Sequence, residues 1–412
     1  MFKFDFALDD TDVDPKLAEQ LHNIQLDAVP PDSQLKQQEE EHQIFREIPL
    51  AEILKRLPGV ISYSPLVVPI LGDAAGGLAL NTEESGSGAL QIVLARRDLF
   101  DARFQLISQD QEEEPSAKSD QSAAGAALQF VQAPSDLVPG VYEGGLKTWE
   151  CALDLAGYLA GKTVTGGVKL RGKRVLEAGC GTAVPTIYLL RELFSAPPPE
   201  ANEPSHPGTT TELHIQDYNA SVLELVSVPN LILTWYMSPA AASFHAAHPH
   251  ASPDSEFAAQ NSSPDQAEAE EYPVPDPLTP SALPLTPALQ AAFLASLEAH
   301  HIVLRVFSGS WRTFDFGVAA APQSGKKEYD VVLTSETIYR SESLRALLGV
   351  LRKAPADGDG EHLCLVASKV LYFGVGGGVE EFVTRVKGEG GNVERVWEIR
   401  VGVGRRIMRV RW

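Results

Sequence analysis

Residues Arg174–Ile187 read RVLEAGCGTAVPTI. Val175-Leu176 is a short apolar run of the kind that ends a buried parallel strand, and Glu177 marks the strand's end. Gly179-Cys180-Gly181 predicts a tight turn. A helix follows from Thr182, with Pro185 in its first turn, where a missing N–H costs nothing. Val184, Ile187, Tyr188, Leu190 and Leu193 keep helical spacing. Strand, glycine turn and helix start let a ligand approach the backbone, and the turn's N–H groups with the helix dipole suit an anionic group. This is not a dinucleotide fingerprint, because Val184 stands where the third glycine of G-x-G-x-x-G belongs. A lone G-x-G turn is shared with purely structural connections, so the flanking sequence has to decide.

Downstream, a proline-rich insert (195–211) precedes a second strand at Leu213–Gln216, and Asp217-Tyr218-Asn219 follows it. An acidic residue after the second strand of a doubly wound sheet is placed to accept from two ribose hydroxyls. A helix from Ala220 to about Val228 is expected next, then a short strand at Leu231–Leu233. His301–Phe307 reads as a strand running into Ser308-Gly309-Ser310-Trp311, whose tryptophan fits an adenine neighbour or a core position equally well. Tyr329–Thr334 is strand four and ends in Ser335-Glu336-Thr337-Ile338-Tyr339. Helix Ser341–Arg352, strand Leu363–Ala367, the glycine-rich Tyr372–Gly378, helix Val379–Val386 and strands near Val393–Ile399 and Arg406–Val410 complete the chain. The alternation predicts a doubly wound α/β sheet with its ligand crevice at the strands' carboxyl ends and one antiparallel edge strand.

Upstream, Asp136–Leu159 holds paired glycines around Tyr142 and Glu143. A helix follows, with Trp149, Ala152, Leu153 and Ala156 on one face, ending near Gly157–Gly161. It reads as a cap on the sheet or as a lid over the ligand. Residues 1–45 are polar and expected to be disordered. The extension 46–135 predicts a short helix ending at Pro58-Gly59, a strand at Val60–Ser64, a loop at 73–88 and an ordered stretch at Ile92–Ile107. There Arg96, Arg97, Asp98 and Asp101 are expected to pair among themselves, and a polar linker (109–134) follows. Residues 237–287 read as a low-complexity surface insertion with nothing to form a core. Its His245, His248 and His250 lack partner ligands, so no metal site is read.

The 412 residues are 44% hydrophobic, enough for a large core, and carry a net charge of −21. That charge argues against a nucleic-acid surface. Three cysteines make neither a disulfide framework nor a metal spacing, which points to a reducing compartment. No signal peptide or membrane-spanning run is recognised, so a soluble intracellular protein is expected.

The chain resembles the histidine protein methyltransferases, a class I S-adenosylmethionine-dependent family. The resemblance rests on GVYEGGLKTWEC (Gly140–Cys151), VLEAGCG (Val175–Gly181), QDYN (Gln216–Asn219), FSGSW (Phe307–Trp311), LTSETIY (Leu333–Tyr339) and YFGVGGG (Tyr372–Gly378). It implies a seven-stranded Rossmann-like methyltransferase domain over 136–412, with S-adenosyl-L-methionine as donor. The implied acceptor is the tele nitrogen of a histidine in large-ribosomal-subunit protein three. By motif matching, Trp149, Glu150 and the Gly179–Gly181 turn hold the methionine part, with Lys147, Thr148, Cys151 and Glu177 beside them. Asp217 takes the ribose next to Tyr218 and Asn219. Gly309, Ser310 and Trp311 border the adenine, and Ser335 lines the inner face. Tyr142, Glu143, Tyr372 and Phe373 face the substrate. No metal is implied.

Methyl transfer from a sulfonium asks for orientation and a dry site more than for a strong base. Neutral imidazole presents a lone pair at pH 7 and needs only its tautomer fixed. Glu336, with Tyr339 beside it, is the expected stabiliser of the developing imidazolium, and Glu143 is the second candidate. Two alternatives stand. Related lysine methyltransferases carry Asp-x-x-Tyr after strand four, where this chain has Glu336-Thr337-Ile338-Tyr339. A non-catalytic ribosomal-protein chaperone would use the same pocket. A nucleic-acid base methyltransferase is disfavoured by the missing Asn/Asp-Pro-Pro-aromatic signature. The expected partner is a basic ribosomal protein, with no direct nucleic acid and no membrane, for a monomer in cytoplasm, nucleus or both.

Overall fold

The structure is a computed structural model and describes residues 44–72, 90–102, 105, 145–164, 169–199, 210–248, 271–320, 327–355, 362–372 and 377–412. In chain order the elements begin β1 (Arg46–Ile48), α1 (Leu50–Arg56), β2 (Val60–Pro69), β3 (Gln91–Arg97), α2 (Glu150–Val164), β4 (Arg174–Ala178) and α3 (Val184–Ser195). Next come β5 (Thr211–Asp217), α4 (Ala220–Tyr236), α5 (Ala242–Ala247), β6 (Ser281–Pro284), α6 (Pro287–Ala299) and β7 (Ile302–Ser308). The last are β8 (Val331–Ser335), α7 (Ser341–Lys353), β9 (Leu363–Lys369), α8 (Val379–Gly388), β10 (Asn392–Ile399) and β11 (Arg405–Arg411).

β4 is central because every one of its five residues is buried, as a parallel strand covered on both faces must be. It pairs in parallel with β5 and β8, and β7 and β9 extend the parallel set outward. The full order is β1-β7-β5-β4-β8-β9-β11-β10. Side chains alternate across this sheet. Val175, Leu333, Leu365 and Ile407 join one cluster with α2, α3 and α4, whereas Leu176, Val332, Cys364 and Met408 join the other with α7 and α8. Ala178 stands opposite Gln216, Asp217 opposite Ser308 and Ser335 opposite Ala367, so the carboxyl ends lie in one row.

Several expectations are corrected. The reversed strand is β11, second from the edge, and β10 forms the edge itself. An eighth strand, β1, closes the opposite edge antiparallel to β7, pinned by the paired Glu47 carboxylate and Arg305 guanidinium. Three residues are too few to signal a strand on their own. Leu231–Leu233 lies inside helix α4, since a short apolar run cannot separate strand from buried helix. α2 continues through Gly157 and Gly161 to Val164. The described ends of 237–287 contribute α5, β6 and core side chains, among them Phe244, Tyr272 and Leu283. Average composition across that stretch hides these few anchors. The disorder expected of residues 1–45 falls outside the described residues except for Ile44 and Phe45, and Phe45 is buried. The linkers at 73–88 and 109–134 also lie outside the described residues.

β3, β2 and β6 make a second, antiparallel sheet. It touches α2 through backbone: the Leu71 amide donates to the Gly157 carbonyl at 3.0 Å.

Candidate functional site

The turn after β4 puts Gly179 at φ +64° and Gly181 at φ +51°. A Cβ on Gly179 would lie 2.7 Å from Thr337 Cγ2 and 3.1 Å from the Trp311 ring. The amides that could have faced an anion are largely taken. Gly179 N donates to Gln216 Oε1, Cys180 N to the Gln216 carbonyl, Gly181 N to Asp217 Oδ2 at 2.9 Å and Ala183 N to the Cys180 carbonyl. The start of α3 is filled by the protein's own carboxyl group: Glu177 Oε2 accepts from both the amide and the hydroxyl of Thr186. Burial pushes the Glu177 carboxyl up to about 8, with Asp217 nearby adding to the rise. The reading of this turn as an anion site built from free amides is therefore corrected.

Gln216, fully buried, ties the site together in a way the sequence did not flag. Its Oε1 accepts from Trp311 Nε1 at 2.7 Å as well as from Gly179, and its amide donates to the Gly309 carbonyl. Gly309 has φ +114°, and the space a Cβ would need is filled by the Ile44 carbonyl at 2.5 Å. The approach to β1 thus requires this glycine. Ser310 caps the short 3-10 turn of Trp311–Thr313. Asp217 Oδ1 accepts from Asn219 N, so both carboxylate oxygens hold backbone amides, and Tyr218 is half-buried beside them. Asn219 Nδ2 is buried without a partner among the described residues.

Residues 145–149 run over the glycine turn. The Gly145 carbonyl is 3.1 Å from where a Gly181 Cβ would stand, and Thr148 Oγ1 donates to Thr182 Oγ1 at 3.0 Å. From below, α4 carries a π-helical turn at Leu223–Ser227, and Ser227 Oγ donates to the Gly181 carbonyl at 2.6 Å. Such bulges often mark functional sites. Arg97 Nη1 caps the displaced Leu225 carbonyl while its Nε bonds Asp101, one of the expected ion pairs.

The second half of the site gathers where α2 begins and β8 and β9 end. Glu336 adopts φ +57°, uncommon for a residue with a Cβ, and its side chain is 7% exposed. Its Oε2 accepts from Tyr372 Oη at 2.5 Å. Its Oε1 faces the Cys151 amide at 3.4 Å and Lys369 Nζ at 3.7 Å. Burial, reinforced by this carboxylate, holds the Tyr372 phenol well above its ordinary range, so it stays a donor. Lys369 also pairs with Glu150 at 3.1 Å. Burial works against its charge, but Glu336 and Glu150 outweigh it and raise its pKa. Lys147 and Lys369 flank the Trp149 ring, each 4.8 Å from its centre. Burial raises the Cys151 thiol far above its ordinary value, so that side chain is core and only its amide serves the site. Tyr339 packs its ring 6.0 Å from that of Tyr372, the residue that donates to Glu336. Ser335 is buried at the end of β8.

The structure thus brings together Lys147, Thr148, Trp149, Glu150, the glycine turn, Asp217–Asn219, Gly309–Trp311, Ser335, Glu336 and Tyr372. Glu177 is turned away into α3. Tyr142, Glu143 and Phe373 lie outside the described residues. Lys369 and Gln216 were missed, although each stands at the carboxyl end of a sheet strand, where ligand contacts belong. Among the described residues no group of three or more His, Cys, Asp or Glu could hold a metal ion.

An open parallel sheet in this order, with its reversed strand second from one edge and a glycine turn after its central strand, is the class I methyltransferase fold. The chain belongs to the histidine protein methyltransferase 1 family. It is 32% identical over 292 residues to histidine protein methyltransferase 1 of Schizosaccharomyces pombe, covering 71% of this chain and 68% of that one. Its identity to the protein of the same name from Saccharomyces cerevisiae is 30% over 303 residues, covering 74% and 71%. No protein-family model matches the chain. A weak likeness in shape, with TM-score 0.31 and 12% identity, relates it to a putative RNA methyltransferase of Pyrococcus horikoshii, over 70% of this chain and 94% of that one.

S-adenosylmethionine is the methyl donor of this class, and the site's unpartnered polar atoms fit it. Asn219 Nδ2 and Arg96 Nε are buried donors without acceptors among the described residues near the glycine turn, and the Trp311 ring borders it.

Proposed function

We propose that this protein transfers a methyl group from S-adenosylmethionine to the tele nitrogen of a histidine in a protein substrate. When bound, the donor supplies an electrophilic methyl on a sulfonium. The observation that carries the reading is Glu336: a desolvated carboxylate on a left-handed backbone, held by Tyr372 and by the amide that opens α2. Its Oε1 contacts are long, which leaves a lone pair for the N–H of an acceptor imidazole. Accepting that N–H fixes the tautomer whose other nitrogen is nucleophilic, and the carboxylate then stabilises the imidazolium that forms. Tyr372 and Lys369 keep the carboxylate from turning away.

The acceptor is a histidine of a basic ribosomal protein, large-subunit protein three. Support comes from the family resemblance and from the chain's net charge of −21. The enzyme acts as a monomer on protein rather than nucleic acid, in cytoplasm or nucleus. The test is Glu336→Gln, which keeps the shape but weakens the acceptor. Turnover is expected to fall by about 100-fold or more with donor affinity unchanged. Near-normal turnover would remove Glu336 from the mechanism, and mass spectrometry placing the methyl group on lysine would replace the histidine reading.

A further inference from the structure

We propose that Arg96 binds the amino-acid carboxylate of the methyl donor, an inference that rests on the donor reading above. Arg96 sits near the end of β3, among charges that are otherwise committed. Arg97 is held by Asp101 and the Leu225 carbonyl, and Asp98 accepts from Ser64 Oγ. The Arg96 side chain makes one hydrogen bond among the described residues, from Nη1 to Thr148 Oγ1 at 3.3 Å. Its Nε is buried and unpartnered, and no carboxylate pairs with it among the described residues. A guanidinium partly withdrawn from water without an anion is unfavourable unless a ligand supplies one.

Its position says which part of a ligand that is. Thr148 links Arg96 to Thr182, the residue directly after the glycine turn, so the cation lies beside the turn on the side covered by residues 145–149. Asp217, at the end of β5, holds the turn through one carboxylate oxygen while the Asn219 amide donates to the other. The amides of Gly179 and Gly181 are taken by Gln216 and Asp217, and the Thr186 amide at the start of α3 already holds Glu177, so few backbone donors here are left for a carboxylate. The other cations of the site are engaged: Lys369 with Glu150 and Glu336, and Lys147 over the Trp149 ring. A planar guanidinium with a free Nε matches a carboxylate in the two-point geometry arginine favours. Thr148 would then position Arg96 rather than be its final partner.

The experiment is calorimetric titration of the full chain with two nucleosides. S-adenosylhomocysteine carries the amino-acid carboxylate, and 5′-methylthioadenosine lacks it. In Arg96→Gln the first is expected to bind about 10- to 100-fold more weakly, the worth of a charge-assisted pair, while the second is unchanged. Arg96→Lys should recover part of the loss, which a merely structural role would not predict. Equal weakening of both nucleosides, or of neither, would overturn the proposal. If the wild-type chain bound neither, the donor reading itself would fail and this inference with it. Wild-type binding of methylthioadenosine alone would overturn only the carboxylate assignment.

Discussion

Glu177 is wholly buried at the end of β4, and Thr186 supplies two donors to one of its oxygens. Its other oxygen has no partner among the described residues, which suits an uncharged carboxyl better than a carboxylate. With burial pushing the group up to about 8 from an ordinary 4.5, the folded protein keeps a proton that the unfolded chain sheds across that window. Stability from this group is therefore fully present below about pH 4.5 and is lost as pH rises toward 8. His214 works in the opposite sense: burial lowers it to about 4, so stability is lost as pH falls from about 6.5 toward 4. Glu177→Gln fixes the uncharged form at every pH. Its stability, measured by urea unfolding between about pH 6 and 8, should fall less with pH than that of the wild type, by on the order of 2 kcal/mol. Parallel curves would mean that Glu177 is ionised in the folded protein. The example also explains what a motif conceals: VLEAGCG fixes where Glu177 lies in the chain, but not that its side chain turns into α3. Gln216 shows the converse, since only the assembled strand ends bring Gly179, Gly309 and Trp311 to its amide.

At the scale of elements, α2 connects the two sheets by close backbone contact. A Cβ on Gly157 would lie 2.0 Å from the Pro69 carbonyl, and one on Gly161 would lie 1.8 Å from the Leu71 carbonyl. Helix propensity alone favours alanine at such a position by about 1 kcal/mol. The contact outweighs it, so Gly157→Ala should destabilise by about 1–3 kcal/mol, the usual cost of overpacking. Gly349, exposed in α7 with nothing within 4 Å of its Cβ position, is the internal control. There alanine should stabilise by about 0.5–1 kcal/mol. Thermal melts of both variants check the pair, and a stabilised Gly157→Ala would mean that α2 sits farther from β2. These glycines were read as a helix end because the sequence carries no sign of the strand they admit. The same limit hid β1 and the helical nature of Leu231–Leu233. Elements defined by their own periodicity, such as α7 with Leu344, Leu347, Leu348 and Leu351 buried on one face, were legible. Elements defined by a distant neighbour were not.

For the whole molecule, the sheet's parallel core was readable because each strand is an apolar run followed by polar residues at its carboxyl end. The split of the site into two halves was not, since Arg96 reaches Thr148, and Lys369 reaches Trp149 and Glu336, only when two sheets and α2 close on one another. The proposed reaction sets two dependences on solution conditions. A chain of net charge −21 attracts a basic protein substrate over distances that salt screens, with a Debye length of about 8 Å at physiological ionic strength. Added salt should therefore lower kcat/KM while leaving kcat at saturating substrate nearly unchanged. The second dependence comes from the acceptor. An imidazole is nucleophilic only when neutral, so turnover should rise as pH passes through about 6.5 and then level off. A lysine acceptor would instead keep gaining toward about pH 10. A plateau above neutrality and a salt effect confined to kcat/KM would agree with a histidine on a basic partner. A rate still climbing at about pH 9 would assign the methyl group to an amine and leave Glu336 to desolvate and orient it.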